Sequence, residues 1–169
     1  MNKATRDTLQ TAARLVLGIT ALLSFVSAFA EDKNCIELTT VAEAPQQYVN
    51  EQGQAATRLV PVTRAVPGDE VVWTLTAKNV CATSIEHVVV ANPVPEHMSY
   101  VANSAMGIGA AITYSLDGRE FASLSELAAH MPDGSHVVTA DAVRQIRWTY
   151  TTAFAPGATA FVRYRATLN

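Results

Sequence analysis

An all-β fold, antiparallel sheets packed as a sandwich, is what this sequence predicts. Three observations carry that expectation. Apolar residues alternate with a period of two in five segments, β-branched and aromatic residues fill those segments, and Pro-Gly or Asp-Gly turn signals stand between them. The 169 residues are 49% apolar and 16% charged, which excludes a disordered chain and leaves room for one core. The net charge of -3 offers no dominant basic field, so nucleic acid is not an expected partner.

The first thirty residues read as an address. Lys3, Arg6 and Arg14 lead into an uncharged apolar stretch from Leu15 to Ala30 that closes on Ala28-Phe29-Ala30, and Glu31-Asp32-Lys33 follows at once. This order predicts a secretory signal-peptide helix over residues 1–30, cleaved between Ala30 and Glu31. The competing reading is a retained membrane anchor, for which the stretch is short against the ~20 apolar residues of a typical span. Without Lys3, Arg6, Asp7 and Arg14, residues 31–169 carry 9 basic and 14 acidic side chains, a net of -5. No Pro/Gly/Ser-rich linker or internal repeat divides residues 31–169, so they are expected to form a single domain. The expected location is the periplasm, the cell surface or the medium, with no stable membrane span after cleavage.

Along that domain, Ile36 and Leu38 alternate with Glu37 and Thr39. Val71, Trp73, Leu75 and Ala77 alternate with Val72, Thr74, Thr76 and Lys78, after the turn signal Pro67-Gly68-Asp69. The more continuous run from Ile85 to Ala91 predicts a strand buried on both sides or near the sheet centre, ended by Asn92-Pro93-Val94-Pro95 because proline donates nothing to a ladder. Ile112, Tyr114 and Leu116 alternate up to Asp117-Gly118, a hairpin signal. Ser123-Leu124-Ser125-Glu126 has capping-box spacing, and Leu124, Leu127, Ala128 and Met131 share a helical face before Pro132 and Gly134. That segment is either one short helix across an end of the sheets or a long ordered loop. Ile146, Trp148 and Tyr150 form the next alternating set. Ala160, Val162, Tyr164 and Ala166 form the last, after Pro156-Gly157-Ala158. Trp73 and Trp148 fall on apolar faces and are expected in the core.

Cys35 and Cys81 are the two cysteines, and export would place both in an oxidising compartment, where two thiols pair. Their spacing excludes a CxxC motif. An early strand antiparallel to the one ending near Cys81 would bring them together. The alternative is two buried free thiols.

These segments carry a resemblance. Val66-Pro67-Gly68-Asp69-Glu70-Val71-Val72-Trp73-Thr74-Leu75-Thr76-Ala77-Lys78-Asn79 is followed in order by Val88 to Glu96 and by Tyr100-Val101-Ala102-Asn103-Ser104-Ala105. Then come Tyr114-Ser115-Leu116-Asp117-Gly118, Ile146-Arg147-Trp148 and Phe154-Ala155-Pro156-Gly157-Ala158. In this order, over most of residues 58–168, the chain resembles the domain of unknown function eleven, the conserved repeat domain of bacterial and archaeal surface proteins. The resemblance implies an immunoglobulin-like antiparallel β-sandwich outside the cytoplasm, and it brings no catalytic motif. Larger members string many copies together. One copy ending at Asn169 predicts a small periplasmic or secreted module.

Chemistry-bearing patterns are few. Gly-x-Ser-x-Gly, HExxH and a phosphate loop do not occur, and Gly107-Ile108-Gly109 is a fragment of a dinucleotide loop without its strand–helix context. His97-Met98 and His130-Met131, with His87 and His136, offer copper-type ligands without a recognised ligand spacing. Neighbouring residues on a strand also point to opposite faces. Asp69-Glu70 reads as a solvated turn rather than an acid/base pair, and nothing places Lys33 or Lys78 beside an asparagine and an acid for an isopeptide bond. The reading is therefore a non-enzymatic structural or protein-interaction module of the bacterial cell envelope, without catalytic, cofactor or metal residues and with a protein partner. An edge strand, a sheet face or the loop Ala105–Ala111 is the expected contact surface. The alternative is a periplasmic protein that binds a small ligand or copper.

Overall fold

The computed structural model describes residues 34–131, 134 and 136–169; the signal segment, with Ala30 and Glu31, lies outside them. Among the described residues, nine strands and one short α-helix follow each other in order. They are β1 (Ile36–Val49), β2 (Ala55–Pro61), β3 (Glu70–Asn79), β4 (Val89–Pro93), β5 (Met98–Tyr100), β6 (Met106–Gly107), β7 (Ala110–Ser115), α1 (Leu124–Ala129), β8 (Gln145–Tyr150) and β9 (Thr159–Leu168). A single 3-10 turn, Ala140–Ala142, precedes β8.

The strands build two antiparallel sheets. The larger runs β2-β1-β3-β9-β5, with β6 also paired to β9; the smaller runs β4-β8-β7. Leu75 and Ala77 of β3 and Val162, Tyr164 and Ala166 of β9 face Val90 of β4 and Ile146, Trp148 and Tyr150 of β8 in one buried cluster. The fold is thus all-β and sandwich-like. Each large side chain buried there contributes about 1.5–3 kcal/mol. Trp148 lies at the centre, its ring centroid 6.2 Å from that of Tyr164, and Trp73, the cross-strand neighbour of Tyr164, stacks with its ring centroid 6.4 Å from the same tyrosine. Trp148 is fully buried, whereas Trp73 is half-buried at the margin.

Some polar atoms in this core have partners, whereas the indole nitrogens of Trp73 and Trp148 and the Tyr150 hydroxyl are buried with no hydrogen-bond partner among the described residues. The Tyr164 hydroxyl accepts from Asn92 Nδ2 at 2.7 Å and donates to the Pro93 carbonyl at 3.2 Å, which pins the end of β4 to β9. Buried Asn79 donates to the carbonyls of Thr83 and Phe154 and accepts from the Cys81 amide, organising the turn after β3. Satisfying these groups matters because an unpaired buried polar group costs about 1–3 kcal/mol.

The turn signals work as the sequence predicts. Gly68 (φ 95°) and Gly157 (φ 77°) occupy the left-handed region just before β3 and β9. Ser123 caps α1 with the reciprocal bonds of a capping box, so the helical alternative holds. The helix closes at Ala129, ahead of Met131 and Pro132.

The run Ile85 to Ala91 is a correction. It is not one central strand. Ile85 makes an isolated bridge to Phe154, His87 turns at φ 54°, and only from Val89 does β4 begin, at the edge of the smaller sheet. Val88 and Val90 are buried while Val89 is exposed, so the strand is covered on one face.

Cys35 and Cys81 are disulfide-bonded, with Cα atoms 5.2 Å apart. The predicted geometry is the reason: β1 lies antiparallel to β3 with Ile36 opposite Asn79. The 46-residue separation makes this a long closed loop, worth about 4 kcal/mol by chain entropy. Replacing both cysteines by serine is expected to lower unfolding free energy by up to that ~4 kcal/mol in urea titration.

Candidate interaction surface

The two sheets are unequal, and the larger one overhangs. Residues Ile36–Glu43 of β1 pair with β3, Glu43 also pairs with β2, and Ala44–Val49 pair with β2 alone. The β1–β2 hairpin therefore continues past the ladder that anchors it. None of its strand residues is buried. Leu38 lies opposite Ala77, on the core side of the sheet, yet is 47% exposed, because no strand of the smaller sheet reaches it. Val49, at the far end of β1, is 69% exposed.

Local bonds hold the hairpin in shape. Asn50 Oδ1 accepts from the amides of Gln52 and Gln54 and shapes the connecting loop. Arg58 grips Gln46 Oε1 through Nε and Nη2 and lies over the Tyr48 ring, 5.3 Å from its centroid. An isolated two-stranded hairpin is marginal in water. This one is kept by its ladder to β3, not by burial. The segment from Thr40 to Pro61 had no predicted element; its one legible signal is the turn composition Asn50-Glu51-Gln52-Gly53.

The loop Ala105–Ala111 contains β6, a two-residue turn and the start of β7, so it crosses from the larger sheet to the smaller. Gly107 is required there: a Cβ would lie 2.8 Å from Trp148 Cδ1 and 3.0 Å from Val162 Cγ1. Its neighbour Ile108 is held outward.

Elsewhere, the sequence candidates separate. His87, His97 and His136 each stand at positive φ, a turn conformation that histidine adopts more readily than most residues. His130 donates from Nδ1 to the Glu126 carbonyl at 2.7 Å, at the end of α1. Among the described residues, no group of three or more His, Cys, Asp or Glu side chains is placed to hold a metal ion. Asp69 Oδ2 accepts from the Val66 amide, and Glu70 pairs with Arg165 at 3.2 Å on the surface. Lys78 is exposed, and Lys33 lies outside the described residues. A cleft of about 400 Å³ is lined by Glu120, Phe121, Glu126, Leu127 and His130. Its Glu126 carboxylate is committed to the Ser123 amide and hydroxyl. Those bonds hold the carboxyl below the usual range. No helix among the described residues is long and apolar enough to cross a membrane.

Comparison of the chain with protein-family models, with curated proteins and with solved structures gave no match.

Two outcomes follow from this geometry. Gly107→Ala is expected to cost about 1–3 kcal/mol in chemical denaturation, because neither Trp148 nor Val162 has room to withdraw. Asp117 Oδ1 accepts from the amides of Arg119 and Glu120 and from the Ser115 hydroxyl, which lowers its pKa. A lowered folded pKa stabilises above the unfolded value of ~4, and that contribution is lost as pH falls through the folded value. Asp117→Asn should therefore unfold at lower urea than wild type near neutral pH, and the two curves should converge as the pH falls through the folded value.

Proposed function

We propose that this protein is a non-enzymatic interaction module of the bacterial cell envelope, exported by its N-terminal signal and built as a single immunoglobulin-like sandwich of the conserved-repeat-domain kind. The observation that carries the reading is the overhanging β1–β2 hairpin. A protein gains little stability by ordering two strands with no fully buried side chain, of which only Ile36 packs against the core, since ordering costs about 1–2 kcal/mol per residue. A partner that covers the bare core-side face around Leu38, or adds a strand along β2, supplies the missing burial. Exposed Arg58 and Pro61 on β2 guard that edge against indiscriminate pairing, as expected of a strand that is open by design. The Cys35–Cys81 bridge suits an oxidising compartment and ties the start of β1 to the chain just beyond β3, at the end of β1 away from the overhang.

The test is a photo-crosslinking residue placed at Val49 in the source cells, with exposed Val137, outside the hairpin, as the control position. A discrete adduct with an envelope protein at Val49 and none at Val137 is the expected outcome. The same labelling at both positions, or at neither, overturns the reading.

A further inference from the structure

On the outer face of the larger sheet, away from the core, a second surface has a more specific chemistry. Register places Met106 and Thr74 on either side of Arg163, and Thr76 opposite Phe161 two residues along the same strand. Ile108 stands at the turn beside them. Ile108 is 97% exposed, Phe161 62% and Met106 58%. Together with Thr74, Gly107 and Arg163 they line a shallow cleft of about 200 Å³. Small-molecule pockets run about 300–1,000 Å³, so this cleft is sized for a single large side chain.

Arg163 gives the cleft a sign. Its Nε donates to Thr74 Oγ1 at 2.9 Å, which fixes the plane of the guanidinium. Among the described residues its Nη1 and Nη2 have no acceptor. The neighbouring Arg165, by contrast, spends its Nη1 on Glu70. A planar fork held by one edge, with its end open beside an apolar cleft, is prepared for a carboxylate.

We infer that the cleft formed by Met106, Ile108, Phe161 and Arg163 docks an acidic–apolar peptide segment of a partner protein, one large apolar side chain seated in the cleft and an adjacent carboxylate on the Arg163 fork. The inference rests on the interaction-module reading but uses a different face from the hairpin. Gly107 is part of the device: its missing side chain lets the turn close over Trp148, and that closure holds Ile108 outward.

A displayed random-peptide library panned against the purified, disulfide-intact chain tests it. The enriched sequences should place Asp or Glu within two positions of a large aliphatic or aromatic residue. A synthetic peptide of that sequence should bind about 10-fold or more tightly than its Asn or Gln counterpart. Arg163→Gln should erase that preference while keeping the fold, and Ile108→Asp should weaken both peptides. Enrichment without acidic residues overturns the inference, as does equal binding of acid and amide peptides, or a preference unchanged by Arg163→Gln. So does failure to enrich, or a concentration-dependent dimer in sedimentation that Ile108→Asp dissolves. A crosslinker at Ile108, run beside the one at Val49, separates the two proposals. Adducts at Val49 alone overturn the cleft and leave the interaction module standing; adducts at neither overturn both.

Discussion

The pairing of β3 with β9 is the contact on which the rest of the structure depends. It joins residues 70–78 to residues 159–167 in a nine-pair antiparallel ladder, so every element from β4 to β8 lies in the loop it closes. That closure is costly in entropy before any burial repays it. The repayment is the floor of the core: Leu75, Val162, Tyr164 and Ala166 form one continuous face on which Ile146 and Trp148 pack. β1 then adds to the free edge of β3, and β5 and β6 add to the free edge of β9. Both Pro-Gly turns stand at the entrances to these two strands, where a fixed chain direction matters most.

The inequality of the two sheets follows from where the ladder extends. The core lies over the part of the larger sheet around β3 and β9, and of β1 and β2 it is joined only by Ile36. The disulfide lies at the boundary between the covered and uncovered parts, fastening the start of β1 to the chain just beyond β3. The result is a rigid covered half and a hairpin that carries its surface into solvent. On the other side of the same sheet, the short link between β6 and β7 turns around the edge of the sandwich, and the tightness required by Trp148 sets Ile108 outward. The two exposed surfaces are thus consequences of the core's own geometry.

Much of this was legible in the residues. β3, β7, β8 and β9 alternate because one face of each packs on the core, and the capping box and the cysteine pair were equally readable. The hairpin was not. Strand alternation is a record of one-sided burial, and Thr40 to Pro61 has no buried face to record. The run Ile85 to Ala91 misled for the opposite reason. Its apolar residues serve two structures, a bridge to Phe154 and an edge strand, separated by the turn at His87 that no hydrophobic pattern displays. The candidate cleft was legible only as a flexible-looking Gly-Ile-Gly segment.

By itself the sequence determined which residues of β3, β7, β8 and β9 share a face, which turns precede β3 and β9, where the helix is capped and which thiols were available to pair. These are local matters of backbone dihedrals, period and hydrogen-bonding capacity. Only the tertiary structure decided which apolar residues stay in solvent. Leu75 and Leu38 lie on the same side of one sheet and read alike in the chain, yet one is fully buried and the other half exposed. The difference is the number of strands in the opposing sheet, a property of how distant segments pair and of no residue alone.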